Sequence, residues 1–311
     1  MRRSLDREQG HSVGGDDRRQ RQQRKRDRSG EVIRSDGYIL TNNHVISVAA
    51  GGGSVEVLFS DGTTAPATIT GRDPQTDLAV LKVQPPHELK VIQLGSSESV
   101  TVGEPVVAVG APLGLSGTVT SGIVSATDRT IQVPGENDTA ALLVSAVQTD
   151  AAINPGNSGG ALVNCAAQLV GVPTAGATVP NPSGEATGGS IGLGFAIPVD
   201  LAKRLSDEII STGQVTHAYF GLQTVPIPPA AAAQAGVPQG LFVEAVAPGG
   251  PAEQAGLRAD DVITSIDGQQ ATSNIQLQEL TLTKKPGDTV VITYSRNGSS
   301  AKATVTLGTQ P

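Results

Sequence analysis

The chain has 311 residues, 16% of them charged, with 38 glycines, 20 prolines, no tryptophan and one cysteine; this excludes a disulfide-stapled scaffold and a helical bundle and leaves room for two domains. The net charge of −7 is uneven: residues 1–29 hold ten basic and five acidic side chains, so the rest carries −12 and offers no footprint for nucleic acid. No run of about 18 apolar residues encodes a membrane helix, and no apolar stretch follows the first arginines as a secretory signal requires.

Residues 1–29 are Arg, Gln, Asp and Gly with almost nothing apolar, so they are expected to form a disordered basic tail. A polyanion-binding role for the arginine run at 18–26 is the weaker reading beside a solvated segment. From Glu31 the pattern turns to short strands. Val32-Ile33 and Tyr38-Ile39-Leu40 flank an Asp36-Gly37 turn and read as a hairpin. Further strands are expected at 55–59, 64–70, 78–83, 106–109, 119–126, 141–148, 161–163, 169–172 and 191–197. Short strands with glycine at the corners argue for antiparallel barrels or a sandwich. Cys165 follows an apolar run and is expected to be a buried, inert thiol. Leu201, Leu205 and Ile209 recur at helical spacing after Pro198, and Gly213 closes that helix. Residues 214–311 read as a small mixed α/β unit, with strands at 219–223, 241–247, 261–266, 290–295 and 301–307. Helices are expected at 252–255 and 274–283, and a Pro/Ala loop at 226–240.

The chemistry centres on Asn154-Pro155-Gly156-Asn157-Ser158-Gly159-Gly160. A serine hydroxyl is a weak nucleophile until a base takes its proton, and its transition state needs N–H donors aimed at the developing oxyanion. Gly156 has no Cβ to keep its own N–H and that of Ser158 from sharing one small pocket. The alternative is a glycine-rich turn that merely contains a serine. Of four histidines, His11 lies in the tail, His87 follows Pro85-Pro86 in a loop, and His217 lies between the two units. His44, at the end of a strand, is the remaining candidate base, against the plainer reading of a packed, hydrogen-bonded histidine. Asp77 opens the strand at 78–83 and is the candidate carboxylate for the far ring nitrogen, or else a strand cap. Asp73, before Pro74, reads as a turn former.

Thr41-Asn42-Asn43-His44-Val45, Thr76-Asp77-Leu78-Ala79-Val80-Leu81-Lys82, the run from Gln148 to Gly160, and Gly192-Leu193-Gly194-Phe195-Ala196-Ile197-Pro198 together resemble the HtrA (DegP-like) serine protease family over residues 30–310. The resemblance implies a mainly β fold: a chymotrypsin-like double β-barrel over residues 30–213, followed by a small α/β PDZ domain over 214–311. It implies that His44 is the general base, that Asp77 orients it and that Ser158 attacks the peptide carbonyl. Gly156 and Ser158 would supply the oxyanion donors, with Asn157 shaping the loop. Ala152, Ile153, Gly194 and Phe195 would line an uncharged substrate pocket suited to aliphatic side chains. Tyr219, Phe220, Gly221 and Leu222 match the PDZ loop that receives a peptide carboxylate on backbone N–H groups.

The family likeness further implies unfolded proteins or peptides as substrates, peptide C-termini at the PDZ domain, a homotrimer, and a periplasmic or other extracytoplasmic site. The sequence shows no metal-ligand spacing, no phosphate loop and hence no expected cofactor. Before Gly30 the chain lacks the period-2 apolar pattern of a further strand, so the first barrel is expected to be one strand short. That departure keeps open a second reading, a peptide-binding scaffold without proteolytic activity.

Overall fold

The computed structural model describes residues 28–111, 117–136, 139–176 and 190–311. The basic stretch at 1–27, including His11, lies outside the described residues. Ser29, which the sequence groups with that tail, is built into the fold.

The first sheet is formed by β1 (Glu31–Val32), β2 (Tyr38–Asn42), β3 (Val55–Leu58), β4 (Thr64–Asp73) and β5 (Leu78–Val83), in the order β1-β2-β5-β4-β3. β5 is buried on both faces, and its Leu-Ala-Val-Leu run has no polar alternation because neither face meets water. A double barrel whose first member is one strand short is the sequence expectation; this sheet curls into an open half-barrel, since β1 has two residues and no strand joins β1 to β3 among the described residues. β2 runs directly into a one-turn helix, α1 (Asn43–Ile46), so His44 sits on a helical turn rather than at the end of a strand.

The second sheet does close. Its strands are β6 (Gln93–Leu94), β7 (Pro105–Gly110), β8 (Thr118–Pro134), β9 (Ala140–Thr149), β10 (Ala161–Val163), β11 (Gln168–Gly176) and β12 (Gly194–Pro198). The order β10-β7-β8-β9-β12-β11 returns on itself through a β10–β11 pairing, and β6 adds parallel to β11. β8 is longer than its apolar pattern indicates, because its second half, half-buried or exposed throughout, pairs with β9 through several register shifts. Cys165 is exposed rather than buried, being in the turn between β10 and β11. α2 (Val199–Thr212) follows, buries Val199, Ala202, Leu205 and Ile209, and stops where Gly213 adopts φ 84°. Its apolar stripe joins Leu40, Leu78 and Val80 of the first sheet to Leu143, Leu169 and Val172 of the second, so one core fixes the two sheets against each other.

The C-terminal unit contains β13 (Ala218–Tyr219), β14 (Leu222–Pro226), α3 (Pro229–Ala235), β15 (Leu241–Val246), α4 (Pro251–Gln254), β16 (Val262–Ile266), β17 (Gln269–Gln270), α5 (Asn274–Thr283), β18 (Thr289–Arg296), β19 (Ser299–Thr306) and β20 (Gly308–Thr309). The main sheet runs β14-β15-β16-β18-β19, leaving β14 at an edge. The segment expected as a Pro/Ala loop holds α3, whose alanine run begins with Pro229 at its first turn and ends at Gly236 in the left-handed region. α5 starts with a capping box built from Ser273 and Gln276. Leu282 and Ile275 of α5 pack on Leu142 and Val144 of β9, and Arg204 of α2 donates to the Leu282 carbonyl at 2.8 Å. No helix among the described residues is long and apolar enough to cross a membrane.

Candidate active site

Asp77 is 4% exposed and, unusually for a non-glycine residue, adopts φ 59°. That conformation turns its carbonyl and its carboxylate toward the same segment, the junction of β2 and α1. The carbonyl accepts from Asn42 Nδ2 at 2.9 Å and from the Asn43 N–H at 3.0 Å. The carboxylate accepts from the His44 N–H at 2.9 Å through Oδ1 and meets His44 Nδ1 at 2.8 Å through Oδ2. An ionised carboxylate only accepts, so Nδ1 carries the hydrogen and the opposite nitrogen, Nε2, keeps its lone pair. The sequence candidates His44 and Asp77 are therefore brought together with the ring in the tautomer a base requires.

Ser158 is 8% exposed on the loop between β9 and β10. Its hydroxyl donates to the carbonyl of Thr174, on β11, at 3.3 Å. The hydroxyl of the same Thr174 donates to Asp77 Oδ2. One residue thus touches both the carboxylate and the nucleophile, and the three sequence candidates converge around it. No hydrogen bond joins Ser158 to His44 in this resting arrangement; such bonds often form only when substrate is bound. Thr174 is absent from the sequence reading: it follows an apolar strand, and nothing in its spacing sets it apart from a strand threonine.

The nucleophile loop leaves two backbone N–H groups without an acceptor among the described residues. Gly156 has φ 110°, a region that side-chain-bearing residues rarely enter. Its carbonyl is turned away and accepts from Ser29 Oγ at 2.7 Å. Among the described residues, no protein acceptor takes the N–H of Gly156 or of Ser158. Asn157 is 1% exposed; its N–H donates to the Asn154 carbonyl at 2.9 Å and its Nδ2 to the Ala152 carbonyl at 3.0 Å, which holds the loop in shape. Ser29 is a second residue that sequence reasoning missed. Besides the bond to Gly156, its Oγ accepts from the Ala111 N–H at 2.8 Å, its N–H donates to the Ser158 carbonyl at 3.3 Å, and its carbonyl accepts from Thr41 Oγ1 at 2.7 Å. This strap crosses tightly enough that a Cβ on Gly159 would strike Thr41 and the Ser29 backbone.

The expected pocket residues divide. Ile153 packs so closely on Gly194 that no Cβ fits there, and Ala152 is half-buried beside them. Phe195 points the other way, as strand alternation requires, and packs on the core that α2 covers. In the C-terminal unit, Tyr219 and Leu222 are half-buried, while Phe220 is 4% exposed and anchors the loop from inside the core. Gly221 has φ 73°, and its carbonyl accepts from Ala247 at 2.8 Å. The edge of β14 faces α5, where Asn274 Nδ2 donates to the Thr224 carbonyl at 2.7 Å and Thr224 Oγ1 donates to Asn274 Oδ1 at 2.9 Å. Among the described residues, no group of three or more His, Cys, Asp and Glu side chains could hold a metal ion.

Known proteins are similar to this chain over most of its length. A trypsin-like peptidase domain model matches residues 28–172, and a PDZ domain model matches 218–307. Serine protease PepD of Mycobacterium tuberculosis is 48% identical over 287 residues, covering 90% of this chain and 60% of that protein. A probable periplasmic serine endoprotease, DegP-like, of Brucella suis is 39% identical over 286 residues, covering 91% of this chain and 52% of that protein. The chain thus spans between half and three-fifths of the length of these curated relatives. Among solved structures, the HtrA-type protease AlgW with decapeptide superposes with a TM-score of 0.73 at 38% identity, covering 92% of this chain and 83% of that one. A serine endoprotease from Yersinia pestis superposes with a TM-score of 0.65 at 34% identity, covering 91% of this chain and 89% of that one. The chain belongs to the HtrA/DegP-like family of trypsin-domain serine proteases with a C-terminal PDZ domain.

Proposed function

We propose that this chain is a serine endopeptidase acting on unfolded proteins or flexible peptides outside the cytoplasm. The observation that carries the reading is the His44–Asp77 pair, with Nε2 unspent, beside a serine whose loop offers two free N–H groups. In the proposed reaction Nε2 takes the Ser158 proton as Oγ forms a bond to the scissile carbonyl carbon. The carbonyl oxygen, now negative, rests on the N–H groups of Gly156 and Ser158, and Asp77 stabilises the imidazolium. The tetrahedral centre collapses as the peptide nitrogen leaves with the proton from His44. Water, deprotonated by His44 Nε2, then attacks the acyl carbon, and Nε2 returns that proton to Ser158 Oγ as the acyl group leaves. Each oxyanion donor contributes about 10²–10³ in rate in such sites.

The pocket floor of Ile153 against Gly194 is apolar and favours aliphatic residues on the acyl side. The edge of β14 and the Gly221 turn suit an added peptide strand ending in a carboxylate, as PDZ modules take. The likeness to DegP-like proteins described as periplasmic supports the location, and membership of the family supports a homotrimer. Casein hydrolysis tests the reading: it is expected with the intact chain and absent with Ser158→Ala. Equal hydrolysis by both would exclude Ser158 as the nucleophile.

A second reading has one observation behind it. With the first sheet open and the Ser158 hydroxyl held by Thr174, the chain would act as a peptide-binding scaffold with a resting protease unit. Retained peptide binding with no hydrolysis of any unfolded substrate would favour it.

A further inference from the structure

Two residues that the proposed reaction leaves unused meet behind the active site. His217, from the segment between α2 and β13, has a side chain 6% exposed, and its Nε2 lies 3.0 Å from Oδ1 of Asp73, whose side chain is 4% exposed. A carboxylate accepts, so Nε2 carries the hydrogen.

Asp73 ends β4 and begins the turn that finishes at Asp77. Its Oδ1 also accepts from the Gln75 N–H at 3.2 Å, and its Oδ2 accepts from Thr76 Oγ1 at 2.5 Å. The carboxylate therefore ties down two of the three residues between itself and Asp77. Those ties hold Asp77 in the left-handed conformation that aims it at His44. The turn is also fastened from outside: the Gln75 carbonyl accepts from Leu142 of β9 at 2.9 Å, and Gln75 Nε2 donates to Gln310 Oε1 at 3.0 Å. The Gln310 N–H in turn donates to the His217 carbonyl at 3.0 Å. The entry to the C-terminal unit, Gln310 and the turn bearing the catalytic carboxylate thus form one hydrogen-bonded junction, buried at His217 and Asp73 and exposed at Gln310.

We propose that His217 is a positioning residue for catalysis: acting through Asp73, it holds the turn that presents Asp77 to His44, and so couples the C-terminal unit to the catalytic carboxylate. A buried carboxylate with one donor removed seeks another, and the Gln75 and Thr76 groups it now holds would shift with it. The proposal rests on the endopeptidase reading for its kinetic readout but not for its structural one.

The test compares His217→Gln, whose amide nitrogen reaches the place of Nε2, with His217→Asn and His217→Ala, in which no donor reaches Asp73. Two quantities are measured in the full chain: kcat and KM on a peptide substrate, and the far-downfield proton resonance of His44 Nδ1–H, assigned by its loss in His44→Gln. The proposal expects His217→Asn and His217→Ala to lower kcat about tenfold at unchanged KM and to shift or broaden the His44 resonance, with His217→Gln close to the parent in both. Unchanged kcat and an unchanged resonance in His217→Asn, with only a lower melting temperature, would overturn it and leave His217 as packing. If the parent chain hydrolyses nothing but its resonance is lost in His217→Asn and kept in His217→Gln, the endopeptidase reading falls while the positioning role stands.

Discussion

The hydroxyl of Thr174 donates to the same oxygen of Asp77 that meets His44 Nδ1. That oxygen thus receives two hydrogen bonds, which fixes the carboxylate plane and with it the imidazole. Thr174→Val removes the hydroxyl with little change in shape. It is expected to lower kcat about tenfold at nearly constant KM, and Thr174→Ser is expected to recover most of the loss. Steady-state kinetics on one peptide substrate checks this; a change confined to KM would place Thr174 in substrate binding instead.

Gly156 faces a different constraint. At φ 110° a Cβ costs about 1–3 kcal/mol, and the loop can relieve that strain by rotating the 156 N–H out of the pocket. Gly156→Ala should therefore keep its fold while kcat falls on the order of 10²-fold. Circular dichroism and the rate of acyl-enzyme formation measure the two halves of this statement separately.

The stability of the first sheet should depend on pH through Glu31. Burial pushes its carboxyl from 4.5 up to about 7. Between these values the folded chain holds a proton that the unfolded chain has released, so stability falls as pH rises from about 4.5 to about 7 and then levels. Glu31→Gln removes the term. The variant should match the parent near pH 4 and exceed it at pH 8 by about 3 kcal/mol, as read by urea denaturation at both pH values.

In the C-terminal unit Asp261 is fully buried and is met by Arg296, Nε to Oδ1 at 2.7 Å and Nη2 to Oδ2 at 2.8 Å. Arg296→Ala leaves the buried carboxylate, among the described residues, only the Arg258 N–H, at 2.8 Å from Oδ2, and should destabilise by about 2–3 kcal/mol. Arg296→Lys should restore less than half, since an ammonium cannot make the paired bonds. Denaturant midpoints for the three proteins test both statements.

Much of the site is legible in the sequence because its residues are few of their kind. One histidine of four lies inside a β-unit, and the serine sits in a loop whose glycines mark turns and close backbone approaches. The strand run Leu78-Ala79-Val80-Leu81 reads directly as a strand covered on both faces. What escaped was what depends on long-range packing. Thr174 and Ser29 matter only because β11 and the entry strap pass the nucleophile loop, and no local pattern records that. Phe195 reads as pocket wall from its motif, while its half-buried ring packs against the core that α2 covers. The open first sheet was legible, since the residues before Gly30 carry no apolar alternation, whereas α3 was hidden because an alanine run after prolines carries no amphipathic period.

The central claim is that Ser158 is a nucleophile activated by His44. The most direct measurement is covalent labelling with diisopropyl fluorophosphate, located by mass spectrometry, in the parent, His44→Ala and Ser158→Ala chains. The account predicts a single adduct on Ser158 of the parent and little or none in either variant. Labelling of Ser158 at the parental rate in His44→Ala, or an adduct on another residue, would contradict it.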